Sequence, residues 1–318
     1  MSTDVFVGID TSNYTTSVAV SDADGEVLVN LKAPLPVKMG ECGLRQSDAV
    51  FEHVRNLPLL TEQMRACLRG RTVRAVGVSA QPRTVDGSYM PCFLSGVAAA
   101  EMLAAGLDVP LFRFSHQDGH IMAALASSGG KDRIGNAPFA AFHVSGGTTE
   151  MLYVQPQEDG FCVEQIGGTA DLNAGQAIDR VGVLMGLQFP CGREMEQLAL
   201  QWNGKLPAPR VCVRDGVCNL SGLQNLAGKL WEQSKDPAMV CAYVFSFVGK
   251  TLEKMTEDLD ARLGHLPIVY AGGVMSNRYL QMLLGKRADT YFALPQFSAD
   301  NAAGVALLCR ERFLHTAQ

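Results

Sequence analysis

One pattern constrains this chain more than any other, because it occurs twice: a strand, a turn rich in hydroxyl residues or glycine, then a second strand. Val5-Phe6-Val7-Gly8-Ile9 leads into Asp10-Thr11-Ser12-Asn13-Tyr14-Thr15-Thr16 and out through Ser17–Ser21. About 135 residues later Phe139–Val144 leads into Ser145-Gly146-Gly147-Thr148-Thr149 and out through Glu150–Val154. A strand pattern recurring at that distance, with helical periodicity between the copies, predicts two related α/β halves. In the first half the strands up to Val29 read as an antiparallel meander. A helix over Ser47–Leu68 carries Val50, Val54, Leu57, Leu60 and Met64 on one face. Val73–Ser79 reads as a buried strand, Gln81–Met90 as a loop, and Ser95–Ala105 as an alanine-rich helix ended by Gly106. In the second half, helices are expected over Gln176–Leu187 and Pro237–Gly264. A strand at Ile268–Tyr270 runs into Ala271-Gly272-Gly273-Val274, and a last helix begins near Asp300.

Composition narrows the function classes. With 318 residues, 47% of them hydrophobic and 19% charged, the chain has room for two domains. No apolar run approaches the roughly 18 residues that span a bilayer, and the start has neither the basic nor the apolar part of a signal peptide. A cytoplasmic protein with no membrane partner is the expectation. Nine cysteines are scattered singly, without a C-x-x-C pair, which argues against a disulfide framework and a thiolate zinc site. The net charge of −5 gives the whole chain no pull on phosphate backbones, so a nucleic-acid role needs a local basic patch or a basic partner.

Turns rich in hydroxyls and glycine suit phosphates, since their N–H groups can converge on an anion and glycine lets the backbone come close. A tight hairpin is the plainer reading of either turn alone. Gly272-Gly273 adds a third place where a base could lie against backbone. No P-loop or dinucleotide fingerprint is present. Ser115-His116-Gln117-Asp118-Gly119-His120 puts two imidazoles at i and i+4, on one face if helical, with Ser115 as an N-cap. A solvated face or a hydrogen-bonded pair is the alternative. The zinc-protease version needs Glu where Gln117 stands. His143, at the mouth of the second turn, is a candidate third ligand.

These residues carry a family resemblance. Gly8-Ile9-Asp10-Thr11-Ser12 resembles the opening G-I-E-T-S of the TsaD family, the tRNA threonylcarbamoyl transferases once labelled glycoproteases. Ser115-His116-Gln117-Asp118-Gly119-His120 resembles that family's N-H-x-E-G-H, and Val144-Ser145-Gly146-Gly147-Thr148 its V-S-G-G-H-T. Thr169–Arg180 parallels T-x-D-D-A-A-G-E-A-F-D-K, Pro190-Cys191-Gly192 stands for P-G-G, and Leu220-Ser221-Gly222-Leu223 resembles F-S-G-L. Gly272–Asn277 resembles G-G-V-x-x-N, and Ser298–Ala303 resembles C-T-D-N-A-A.

The resemblance implies an α/β, two-lobed actin-like ATPase fold with duplicated mixed-sheet domains and helices on both faces. Residues 1–112 plus about 297–318 would form the N-terminal lobe. Residues 113–296 would form the C-terminal lobe, carrying the metal motif and the nucleotide turns. It implies one divalent metal, iron or zinc, on His116, His120 and Asp300, with His143 at the place where some members have a tyrosine ligand. It implies an ATP- or AMP-type nucleotide, or a carbamoyl-adenylate, on Thr11, Ser12, Ser145, Gly146, Gly147 and Thr148 at the phosphates. Asp179 and Glu196 would take the ribose, with Gly192, Gly272, Gly273 and Asn277 near ribose and base. The implied activity is transfer of a (threonyl)carbamoyl group to an acceptor such as a tRNA adenosine, helped by a protein partner in a homo- or heterodimer.

The departures concern chemistry and acceptor recognition. Asn13-Tyr14-Thr15-Thr16 replaces the family's C-D-E-T with its two acids, and Gln81–Ser88 replaces G-P-G-L-x-G-S. Gln176 stands for Glu and Leu172 for Asp. With the acidic pair gone, Asp10 is the remaining candidate general base. Two other readings of the same fold stay open: a non-catalytic nucleotide-binding partner of a transferase, and a kinase or ATPase in which Asp10 and Asp179 serve a magnesium nucleotide. A protease comes last.

Overall fold

The computed structural model describes residues 3–36, 44–85, 87–158, 160–298 and 302–316. Strands β1 (Asp4–Ser12), β2 (Thr15–Asp22) and β3 (Val27–Pro34) form the antiparallel meander. Helix α1 (Gln46–Leu68), strand β4 (Thr72–Gln81) and helix α2 (Phe93–Leu107) follow, and β5 (Leu111–Ser115) runs straight into α3 (His116–Ser127). After α4 (Lys131–Ile134) come β6 (Phe139–Val144), β7 (Thr149–Gln157) and β8 (Gly160–Thr169). Next are α5 (Ala174–Leu184), α6 (Gly192–Ala199), β9 (Cys212–Arg214), β10 (Val217–Asn219), α7 (Gly222–Ser234) and α8 (Pro237–Leu263). Then come β11 (Ile268–Ala271), α9 (Arg278–Leu284), β12 (Thr290–Phe292) and α10 (Ala303–Thr316). No helix among the described residues is long and apolar enough to cross a membrane.

The chain divides into two compact units. One takes Met1–Ala126, Pro156–Cys162 and Ala299–Gln318; the other takes Ser127–Gln155 and Val163–Ser298. The border expected at 112/113 would cut β5, which pairs in parallel with β4 from Val76↔Leu111 to Gln81↔Ser115. The histidine motif therefore belongs to the first unit, not to the C-terminal lobe as the sequence suggested. Gly304 fixes it there, because a Cβ at Gly304 would fall on the carbonyl oxygen of Gly119 in α3. The bare backbone of Gly304 lets α10 approach α3 this closely, and a Cβ on Gly119 would in turn press on Val305 Cγ2 at 3.0 Å.

The first unit's sheet has the order β3-β2-β1-β4-β5. Its central strand β1 is buried along nearly its whole length because both faces are covered. Alternation along the strand sends Gly8 toward α10, where a Cβ would lie 2.5 Å from Ala302 O, and sends Ile9 and Thr11 toward Gly96 of α2. Helix α1 buries Ala49, His53, Leu60 and Met64 and leaves Val54 exposed, so the buried stripe is rotated from the predicted one and includes a histidine. Gly106 does not end α2. The helix runs on to Leu107, and Asp108 supplies the cap in the left-handed region at φ 54.

The second unit holds the sheet of order β12-β11-β6-β7-β8-β10-β9. Its parallel register is locked by a ladder of stacked rings, Phe142 on Tyr270 at 5.1 Å and Tyr270 on Phe292 at 5.2 Å. Phe142 and Tyr270 are buried, and burial pushes the Tyr270 hydroxyl up to about 12. Helices α5 to α9 close one core over that face, in which Leu172, the residue standing for a family Asp, is buried.

Candidate metal and nucleotide sites

The first unit assembles a polar cluster at the ends of β1, β4 and β5. Ser115 and Asp118 start α3 by a reciprocal cap. The Ser115 hydroxyl accepts from Asp118 N at 3.0 Å, and the Asp118 carboxylate accepts from Ser115 N at 3.1 Å. His116 thereby occupies the first turn of α3, and His120 stands one turn further on the same face. Their Nε2 atoms converge to 3.0 Å, with the rings edge to face at 4.4 Å. Two imidazole lone pairs cannot face each other at that distance unless a proton or a cation lies between. One cation could reach both nitrogens at ordinary metal–nitrogen lengths of about 2.1 Å, so this pair fits a metal.

Behind His116 lies Asp10, whose carboxylate Oδ2 is 2.7 Å from His116 Nδ1 and accepts from Ser79 Oγ at 2.5 Å. Oδ1 accepts from Ser12 N at 3.0 Å. Asp10 is only 1% exposed, so it is not a carboxylate open to a substrate, and the expected general base is corrected to an internal partner of His116. Ser79, missed in the sequence, is the hydroxyl that ends the buried apolar stretch 75–78 of β4, and the pairing Ile9↔Val78 sets it beside Asp10.

Thr11, expected at the phosphates, is 0% exposed and spends its hydroxyl on α2, donating to Cys92 O at 3.0 Å and accepting from Gly96 N at 3.1 Å. Ser12 is also buried, beneath the two-residue tip Asn13-Tyr14 that closes the β1–β2 hairpin. Gln46 pins the tip, donating to Asn13 Oδ1 at 2.6 Å and accepting from Cys92 N at 3.1 Å. His53, also missed, shares its Nδ1 with Thr16 Oγ1 at 2.8 Å. Burial pushes its imidazole down, against the upward pull of the Ser12 backbone and the Asp10 charge.

The loop that replaces the family's glycine-rich one is held on α3, since Gln117 N donates to Pro82 O at 3.0 Å and Thr84 Oγ1 donates to Asp118 at 3.1 Å. Burial raises the Asp118 carboxyl, opposed by the Ser115 and Thr84 bonds. His143 lies at the end of β6 in the second unit, and Asp300 lies outside the described residues. Among the described residues no group of three or more His, Cys, Asp and Glu side chains forms a complete metal cage.

The second unit gathers its expected nucleotide residues into a linked series at the carboxyl ends of the parallel strands β6 and β11, where ligands bind in sheets of this kind. The Ser145 turn is closed by Ser145 N to Thr148 O at 2.8 Å, with Thr148 N on Ser145 Oγ at 3.1 Å. Helix α5 begins against it: Gly175 N donates to Ser145 O at 3.1 Å, and Asn173 Nδ2 to Gly147 O at 2.9 Å. A Cβ on Gly175 would sit 2.6 Å from Gly146 Cα, whereas Gly146 and Gly147 have nothing within 4 Å on their own open side. The turn and the start of α5 thus meet, with Gly147 N also donating to Ser145 Oγ at 3.3 Å and Ala174 N donating to Thr149 Oγ1 at 2.9 Å.

From there Asp179 of α5 accepts from Cys191 N at 2.7 Å, beside open Gly192. Glu196 of α6 accepts from Arg278 N at 2.9 Å, next to Asn277, whose carbonyl caps α9 through Leu280 N at 3.0 Å. Gly272, at φ 98, returns to the start, pressed on the carbonyl of Val144, and Gly273 is open. A cleft of about 570 Å³ borders this series, lined by Gln176, Asp179, Arg180, Val183, Leu184, Phe189 and Gln224. The loop before α5 is anchored by Asp171. Burial alone would raise its carboxyl, yet bonds from Ser221 Oγ and from the N–H groups of Leu220, Ser221 and Leu172 hold it well below the usual carboxylate range.

Two sheet-and-helix units with such turns define an actin-like ATPase fold. Solved structures agree at the level of fold. Full-length HypF in its phosphate- and nucleotide-bound form superposes with a TM-score of 0.59 at 12% identity, over 98% of this chain and 56% of that one. The chain thus spans little more than half the length of HypF. A ROK family glucokinase from Streptomyces griseus, in complex with glucose and AMPPNP, gives 0.53 at 13% identity, over 96% of this chain and 99% of that one.

Sequence separates the chain from the kinases of this fold. The family model for TsaD, tRNA N6-adenosine threonylcarbamoyltransferase, matches residues 43–307. The tRNA N6-adenosine threonylcarbamoyltransferase of Methanopyrus kandleri is 30% identical over 308 residues, covering 95% of this chain and 86% of that protein. The chain belongs to the TsaD family, and it is an enzyme of the carbamoyl-transferase type.

Proposed function

We propose that this protein transfers a carbamoyl-type group from an adenylate to an acceptor nitrogen, with an adenosine of tRNA as the acceptor its family name suggests. The convergence of His116 and His120 Nε2 at 3.0 Å carries the reading, because phosphoryl transfer on this fold has no use for it. His116 and His120, with Asp300 as a further candidate ligand, would hold iron or zinc. When bound, such a metal supplies Lewis acidity toward the carbamoyl oxygen. The Ser145–Thr148 turn and the start of α5 bind and orient the adenylate phosphate, while Asp179 and Glu196 take the ribose and Gly272, Gly273 and Asn277 border the base. The acceptor nitrogen attacks the carbamoyl carbon, the bond from that carbon to the phosphate oxygen breaks, and AMP leaves. The departing phosphate, whose second pKa is about 6, can take the amine proton. No side-chain base is then needed, which suits the neutral Asn13-Tyr14-Thr15-Thr16 turn. A tRNA acceptor would be met in the cytoplasm, and the protein would act there as a homo- or heterodimer.

The test supplies zinc- or iron-loaded protein with threonylcarbamoyl-adenylate and unmodified tRNA, and follows AMP release and the modified nucleoside. Acceptor-dependent AMP release, lost in the His116→Ala/His120→Ala variant, is expected. Nucleotide binding without transfer to any acceptor would instead favour a non-catalytic partner, the reading that the neutral first turn also supports.

A further inference from the structure

We propose that Asp10 is the positioning residue of the histidine pair: its carboxylate holds His116 in the Nδ1–H tautomer, leaving the Nε2 lone pair for a cation. This rests on the metal reading above and assigns a job to a residue the sequence had cast as a base. A carboxylate can only accept hydrogen bonds, so the 2.7 Å contact to His116 Nδ1 requires the proton on that nitrogen. In the neutral imidazole the opposite ring nitrogen, which faces His120 at 3.0 Å, is then the unprotonated one. Ser79 and Ser12 leave the carboxylate little freedom, the hydroxyl donating to Oδ2 at 2.5 Å and the backbone to Oδ1 at 3.0 Å. Both supports stand on paired strands, β1 and β4, and not on a loop. Outer carboxylates of this kind fix ring orientation, and their removal typically costs 10- to 100-fold in metal affinity.

Asp10→Asn is the discriminating change. Its carbonyl keeps the Ser12 N–H, so the amide NH₂ replaces Oδ2 and donates to His116 Nδ1, forcing the proton to Nε2. Imidazole ¹⁵N NMR of the metal-free protein reads the tautomer, and a competition titration with zinc reads affinity. Wild type is expected to show Nδ1–H at His116, and Asp10→Asn to show Nε2–H with zinc bound about 10- to 100-fold more weakly. Ser79→Ala should keep the tautomer and lose affinity severalfold. An unchanged tautomer in Asp10→Asn, with zinc affinity within about twofold of wild type, overturns the proposal while leaving the metal reading intact. If wild type takes no zinc, the metal reading fails and the tautomer comparison alone decides. If Asp10→Asn does not fold, unchanged zinc affinity in Ser79→Ala overturns the proposal.

Discussion

The two hydroxyl-rich turns look alike in sequence and are used in opposite directions. At the first, Thr11 is 0% exposed with its hydroxyl tied to Cys92 and Gly96, and Asp10 is turned onto His116. At the second, a Cβ on Gly146 or Gly147 would face open space, and the turn closes on Ser145 through Gly147 N and Thr148. Coverage explains the difference. β1 is packed by helices on both faces, so Thr11 spends its hydroxyl on α2 and Asp10 its carboxylate on His116, while the Ser12 hydroxyl is buried without a hydrogen-bond partner among the described residues. Glycine marks it in advance, since Asp10–Thr16 contains none and Ser145–Thr149 contains two adjacent ones. The family match over residues 43–307 includes the second turn and not the first. A hydroxyl-rich turn therefore tells where a chain reverses, and bare glycine backbone tells where it can meet a ligand.

The sharpest way to break this contrast is to fill the open turn. A Cβ at Gly146 meets nothing within 4 Å and the position is exposed, so Gly146→Val should keep stability within about 0.5 kcal/mol, while AMP affinity by calorimetry should fall about 100-fold. Gly175→Ala is different, because its Cβ meets Gly146 Cα and Ser145 O. About 1–3 kcal/mol of overpacking should appear in urea unfolding, together with weaker AMP binding. At the closed turn, Thr11→Val leaves Cys92 O and Gly96 N without their buried partner and should cost about 1–3 kcal/mol, with AMP affinity unchanged. The smallest effect is a pH dependence at His53. Its folded pKa lies below the ordinary value, so the unfolded chain binds the proton more readily. Stability is complete above about pH 6.5 and declines as pH falls below it. His53→Gln should flatten the fall between about pH 7 and 5 in pH-resolved unfolding, and an equal slope would show that His53 is not its source.

Much of the fold was legible because its period changes are clean. The meander of β1 to β3, the strand at β4 and the long α8 stand where alternation or helical spacing predicted them. The α1 face was misjudged because apolar character was read as burial: Val54 is exposed, and the polar His53 is inside, where Thr16 partners it. The lobe border was misplaced because nothing local shows that β5 pairs with β4, or that Gly119 and Gly304 let α3 dock on α10. Among the site residues, those on turns and glycines could be found from spacing and resemblance. Ser79 could not, since its role depends on a parallel register between strands roughly 70 residues apart.

The most direct test of the contrast is one AMP titration series on wild type, Gly146→Val and Thr11→Val, with each variant's folding checked first. The account predicts that Thr11→Val binds AMP within about twofold of wild type while Gly146→Val loses about 100-fold. Loss of binding in Thr11→Val with full binding in Gly146→Val would contradict it and return the phosphate to the first turn.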